Sequence, residues 1–210
     1  MLKDEIEYAH RKCNCIWPVL WVPRKYHNTP EKLKNVLQEI VNQCQEYSKI
    51  IFTYGACGGG TDGLYSTKAD MVFVRCEDCI HMLLYSGRGK SLVQKGVIYL
   101  TDGWTKDNQS IIQQYEYTQK KYGTEMCSCV MQMMYHNFHE LCVIDTGTFD
   151  LLETVSYAKK AAQVANLKQT CCKGTTELLE KLFTGCFDEE FLEYKAGQAV
   201  KKEDFIKRWE

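Results

Sequence analysis

Short apolar runs recur along this chain, each followed by a longer amphipathic stretch, and that alternation limits its fold more than any other feature. The runs are Trp17–Val22, Ile50–Thr53, Met71–Val74, Val97–Leu100 and Leu141–Ile144. Each has strand length, and each ends at a turn-forming or polar residue. Between them, Asn28-Thr29-Pro30-Glu31 opens a stretch with Leu33, Val36, Leu37, Ile40, Val41 and Cys44 at spacings of three and four. That spacing predicts a helix with one buried face, Thr29 at its cap and Pro30 in its first turn. Further helices are expected from Cys79 to about Tyr85, over Thr105–Phe138 with a break near Gly123, over Phe149–Ala165 and over Thr175–Phe183. Phe191–Tyr194 reads as a late edge strand. The alternation predicts an α/β fold, with a mainly parallel sheet of about five strands flanked by helices in Rossmann-like or flavodoxin-like layering.

The chain has 210 residues and shows no linker, repeat or biased segment, so one domain over 1–210 is expected. With 26 Lys+Arg against 27 Asp+Glu it lacks the basic excess of a dedicated nucleic-acid binder. No run approaches the ~18 apolar residues of a membrane span. The start, Met1-Leu-Lys-Asp-Glu-Ile-Glu7, is acidic where an export signal is basic, which points to the cytoplasm.

Twelve cysteines are too many to pass over, and too thinly spread over 210 residues to be a disulfide framework. In an open parallel sheet, ligands bind beyond the C-terminal strand ends. Two of the cysteine segments fall there. Gly55-Ala-Cys57-Gly-Gly-Gly60 follows the second apolar run; its glycines let the backbone take positive φ and approach a ligand. Nearby N–H dipoles would lower the pKa of Cys57 and favour thiolate. The loop lacks the Lys-Ser/Thr of a P-loop, and its match to Gly-x-Gly-x-x-Gly at Gly58, Gly60 and Gly63 follows the wrong strand. Arg75-Cys76-Glu77-Asp78-Cys79 follows the third run and joins a strand to a helix. Its C-x-x-C suits a redox dithiol or half of a metal site, although Glu77 and Asp78 disfavour thiolate.

His27 and His81 are candidate metal ligands or acid–base groups. The plainer readings are a glycine turn with an incidental thiol, Asp78 as a helix cap, and surface histidines. His136 and His139 lack the Glu placement of a zincin helix. Cys13/Cys15, Cys127/Cys129 and Cys171/Cys172 read as packing or surface thiols, and two positions apart on a helix Cys127 and Cys129 point in different directions. The methionines near Met126–Met134 read as soft packing.

The order Tyr54-Gly-Ala-Cys-Gly-Gly-Gly60, Arg75-Cys-Glu-Asp-Cys-Ile80, Gly96-Val-Ile-Tyr-Leu-Thr-Asp-Gly-Trp104 and Ile144-Asp-Thr-Gly147 resembles an uncharacterised domain-of-unknown-function family. That family is common in methanogens, acetogens and related anaerobes, often encoded near corrinoid-dependent methyltransferases. The resemblance extends over nearly the whole chain, from the His27-Asn-x-Pro30 turn to Leu178-Leu-Glu-Lys-Leu-Phe-x-Gly185. It implies one cysteine in the glycine loop and one after Arg-x-x-Asp, which are Cys57 and Cys79. The family pattern has His where this chain has Glu77, and Cys76 is an addition to it. It also implies a first strand, ending in another cysteine, ahead of Met1.

Thiolates at strand ends suit a soft metal or an iron–sulfur cluster. The expected function is therefore a metal- or cluster-binding accessory protein of anaerobic one-carbon metabolism. Cys57 and Cys79 would be ligands of zinc or an iron–sulfur cluster, with Cys76, His27 or His81 completing the set. Gly55, Gly58, Gly59, Arg75, Asp78 and Trp104 would border the same cleft, and a corrinoid methyltransferase or corrinoid protein is the expected partner. Two alternatives stand beside this: a thiol-dependent transferase or reductase using Cys57 and Cys79, and a non-catalytic partner of a corrinoid methyltransferase.

Overall fold

The computed structural model describes residues 1–87, 91–107 and 109–206. Asn108, inside the expected Thr105–Phe138 helical region, lies outside them. The fold is mixed α/β, with two separate three-stranded sheets in place of the single sheet of about five strands. The chain divides into two compact units, Met1–Glu5 with Val93–Gly174 and Ile6–Leu92 with Thr175–Glu210.

Described residues of the second unit begin in the first helix, α1 (Lys3–Lys12), and continue to α2 (Pro30–Gln43). As expected, Pro30 occupies the first turn of α2, and Leu33, Leu37 and Val41 form its buried face. Each such side chain contributes about 1.5–3 kcal/mol through burial. The expected strand at Trp17–Val22 does not form: this segment carries no strand, and Leu20 is 63% and Trp21 48% exposed. Pro18 within the run and Pro23 just after it have no N–H to give a ladder.

Strands β1 (Lys49–Phe52) and β2 (Asp70–Val74) pair in parallel. Met71 through Val74 are fully buried, which explains the unbroken apolar run. Phe52 stacks on Phe73 with ring centroids 4.3 Å apart, and α2 closes this core. The late run Phe191–Tyr194 is a strand, as expected, but it lies antiparallel to β2, with Val74 opposite Phe191. β2 is thus paired on both sides, and the next apolar run has no place beside it. A short helix, α3 (Cys79–Leu83), follows β2.

In the other unit, β3 (Val97–Leu100), β4 (Glu140–Asp145) and β5 (Lys168–Lys173) form an all-parallel sheet in that order. After β3 come α4 (Asp102–Thr105) and α5 (Ile111–Tyr135); α5 bends at Gly123, φ 79°, where the sequence predicts a break. α6 (Leu151–Ala165) joins β4 to β5, capped by Asp150, whose side chain accepts from the Leu152 and Glu153 amides. Small residues Ala158, Ala161 and Ala162 let α6 lie close on Leu141 and Val143. β5 is hard to see in sequence because Lys-Gln-Thr-Cys-Cys-Lys has one β-branched residue, Thr170, and no aromatic one. The remaining elements are α7 (Glu177–Thr184) and β6 (Phe191–Tyr194), both in the second unit. No helix among the described residues is long and apolar enough to cross a membrane.

Candidate functional site

The loops that leave β1 and β2 run side by side, extending the parallel pairing past the strand ends. The Val74 amide donates to the Tyr54 carbonyl at 3.2 Å, the Ala56 amide to Cys76 at 2.9 Å and the Cys57 amide to Glu77 at 2.8 Å. Gly55 makes this approach feasible: a Cβ there would stand 2.3 Å from the Cys76 carbonyl oxygen and 2.8 Å from its Sγ. Cys57, Gly58 and Gly59 then take positive φ in succession, 45°, 65° and 95°. Left-handed backbone is routine for glycine and strained for cysteine. The buried Thr61 hydroxyl fastens the turn, lying 3.1 Å from the Gly55 carbonyl and 3.3 Å from that of Ala56. The start of α2 borders the loop, with Pro30 facing Gly58 and Leu33 facing Gly60. His27 lies three residues before Pro30, at the end of the Arg24–Tyr26 turn.

On the β2 side, Asp78 caps α3 by accepting from the Ile80 and His81 amides at 2.9 and 3.0 Å. The plain helix-cap reading of Asp78 therefore holds, and the same carboxylate also meets His81 Nδ1 at 2.8 Å. Glu77 stands 3.7 Å from the other ring nitrogen. The Asp78 hydrogen bond raises the His81 pKa above its ordinary value. Burial pushes Asp78 upward, but its bonds to the His81 ring and the α3 amides outweigh that and leave it lowered. The Arg75 guanidinium reaches the Phe191 carbonyl at 3.4 Å, and its buried Nε has no hydrogen-bond partner among the described residues.

Cys57, Cys76 and Cys79 come together over the ends of β1 and β2, near enough that charge on one is felt by the others. Burial raises the Cys57 thiol to about 12, with Asp78 adding to the rise and a Gly55 backbone hydrogen bond offsetting part of it. Burial and then the Cys57 charge raise Cys79 as well. Cys76 is raised well above the ordinary thiol range by burial and by Cys57, Asp78, Cys79 and Glu77. The expected thiolate at Cys57 is thus overturned: desolvation beside a carboxylate outweighs the backbone dipoles. The Cys76 thiol instead donates to the Asp78 carbonyl at 3.3 Å.

Tyr54 belongs to the same group and was not singled out from sequence. Burial and then the charges of Cys57 and Cys79 raise its phenol to about 12. Its place at the head of the loop after β1 was the available signal. Trp104 lies in the other unit, packed on the core of Leu100, Leu141 and Val143. Among the described residues, no group of three or more His, Cys, Asp or Glu side chains is already arranged to hold a metal ion. As expected, Cys127 is buried while Cys129 faces out, and His136 bonds its own helix end at the Met133 carbonyl, 2.7 Å away.

A mixed α/β fold with paired loops carrying half-buried cysteines defines the class of protein to which this chain conforms. The chain belongs to a family described as "Protein of unknown function (DUF1638)", whose model matches residues 21–183. No curated protein matches it, and no solved structure does.

Proposed function

We propose that the Cys57–Cys76–Cys79 loops bind a thiophilic metal ion and that the protein serves as a metal-binding accessory factor. One observation carries this reading: three half-buried thiols lie past two adjacent strand ends, and desolvation favours the protonated form of each. A soft divalent ion displaces such protons and brings positive charge to a place where Asp78 and Glu77 act on Cys76. The donor set fits in chemistry. Its side chains have not converged on a common position, so uptake involves rotation of the thiols. Zinc completes a tetrahedral set with His81, His27 or solvent. An iron–sulfur cluster is the other occupant that a thiol set admits. A role beside a corrinoid methyltransferase or corrinoid protein rests on the family resemblance alone.

Elemental analysis with a visible spectrum of anaerobically purified protein tests the reading. Stoichiometric zinc, or iron with a coloured spectrum, is expected, and should be lost on joint Cys57→Ser and Cys79→Ser substitution. Metal-free protein that takes up no zinc, or metal content unchanged in the double variant, overturns it.

A second reading, thiol catalysis with Cys57 as nucleophile and Cys79 as resolving thiol, is favoured by one observation. Cys57 holds a left-handed φ just ahead of Gly58, and strain of this kind clusters at reactive positions. Iodoacetamide separates the two. In the metal-binding reading Cys57 is alkylated at neutral pH more slowly than exposed Cys129, Cys171 and Cys186, whereas a Cys57 that reacts first supports catalysis.

A further inference from the structure

The parallel sheet of the other unit carries a thiol pair of its own. The β4–β5 register sets Cys142 opposite Thr170 and Ile144 opposite Cys172. Opposite residues of a parallel pair share a face, and alternate residues of a strand return to it. Cys142, Thr170 and Cys172 therefore lie on one face, while Cys171, opposite Val143, lies on the other. Tyr99 of β3 stands opposite Cys142 and joins the first face. Cys142 is 3% exposed, and Cys172 is half-buried at the sheet edge.

The two thiols lie near enough to influence each other's protonation, and the Cys142 Sγ also stands 3.8 Å from the Val143 carbonyl. The Thr170 hydroxyl, on the same face as Cys142, donates to Glu140 Oε1 at 2.6 Å. The interaction with Cys172 leads the causes that lower Cys142 to about 7, and the same interaction is the first cause that raises Cys172. Of the two, Cys142 is the sulfur that more readily gives up its proton and Cys172 the one that keeps it. That division of roles matches an attacking and a resolving sulfur.

We propose that Cys142 and Cys172 form a dithiol that a hydroperoxide oxidises to a disulfide joining β4 to β5. The Cys142 thiolate attacks one peroxide oxygen as the O–O bond breaks, giving Cys142 sulfenic acid and hydroxide. Cys172 then attacks that sulfur; the S–S bond forms and the S–O bond breaks. The departing hydroxide takes the Cys172 proton and leaves as water, and the hydroxide from the first step is protonated by solvent. In balance, two thiols lose two electrons and two protons, and hydrogen peroxide becomes two waters. A disulfide needs Cα atoms about 4.4–6.8 Å apart. Among the described residues β5 is an edge strand paired with β4 alone, so it can yield as the bond closes.

The test uses the whole reduced chain, hydrogen peroxide as the probe, and differential alkylation followed by tandem mass spectrometry. A Cys142–Cys172 link, lighter by two hydrogens, is expected in the wild type. Cys172→Ser should leave a Cys142 sulfenic acid that dimedone traps, and Cys171→Ser should keep the link. If Cys142 and Cys172 remain alkylatable while exposed Cys129 and Cys186 oxidise, or if Cys172 pairs with Cys171, the proposal fails. The wild-type mapping decides this even if a variant misfolds.

Discussion

Gly55 and Cys76 occupy one another's space: a Cβ on Gly55 would come within 2.3 Å of the Cys76 carbonyl oxygen. The obstacle is backbone already bonded to the Ala56 amide, so no rotamer change relieves it. Gly55→Ala should lower stability by about 1–3 kcal/mol, the usual cost of overpacking. Gly59→Ala meets no atom within 4 Å but must hold φ 95°, so only backbone strain opposes it, about 1–2 kcal/mol. Thermal melts of both variants check this. A Gly55→Ala protein as stable as the wild type, with its thiols equally slow to alkylate, would mean that the two loops are not held together as described.

The Asp78–His81 pair ties stability to pH from both sides. His81 is raised, so its contribution is complete below the ordinary histidine value of 6.5 and fades as pH climbs through the folded value. Asp78 is lowered, so its contribution is complete above the ordinary 3.8 and fades as pH falls through the folded value. The difference in melting temperature between wild type and His81→Gln should be greatest between those two ordinary values. The corresponding difference in stability should be about 1 kcal/mol or less, because the pair is partly exposed. A difference that grows above neutral pH contradicts the assignment.

Glu5 is fully buried; the Thr146 hydroxyl donates to its Oε1 at 3.4 Å, and its Oε2 has no hydrogen-bond partner among the described residues. Burial raises it from 4.5 to about 7. Between those values the folded chain binds the extra proton, so wild-type stability should fall as pH rises through that window and level off above it. The full fall is about 3 kcal/mol, from roughly 1.4 kcal/mol per pKa unit. Glu5→Gln should remove this slope in denaturant titrations at several pH values. An unchanged slope in the variant rejects a buried neutral carboxyl.

The parts of the fold that were legible in sequence are those whose residues report their own surroundings. The spacing of Leu33, Leu37 and Val41 gives the buried face of α2, and the apolar run Met71–Val74 gives the central strand β2. Trp17–Val22 misled because apolar character alone does not supply ladder donors, and Pro18 removes one inside the run. The split into two sheets was illegible because it depends on Phe191–Tyr194 returning to β2, a pairing across more than a hundred residues that no local pattern encodes. At the site, sequence located Cys57, Cys76 and Cys79 through strand ends and glycines. It could not see their protonation, because desolvation depends on packing around the loops. The Cys142–Cys172 pair was hidden for a similar reason: without β5 as a strand there is no register to join them.

The central claim is that Cys57, Cys76 and Cys79 act as one soft-metal site. Titration of the reduced, metal-free chain with Co(II) under anaerobic conditions tests it most directly, read by the thiolate-to-cobalt charge-transfer band. The account predicts a band that saturates at one Co(II) per chain, is displaced by zinc, and disappears in the Cys57→Ser/Cys79→Ser variant but survives in Cys142→Ser. No thiolate band, or a band of the same strength in the Cys57→Ser/Cys79→Ser variant, contradicts it.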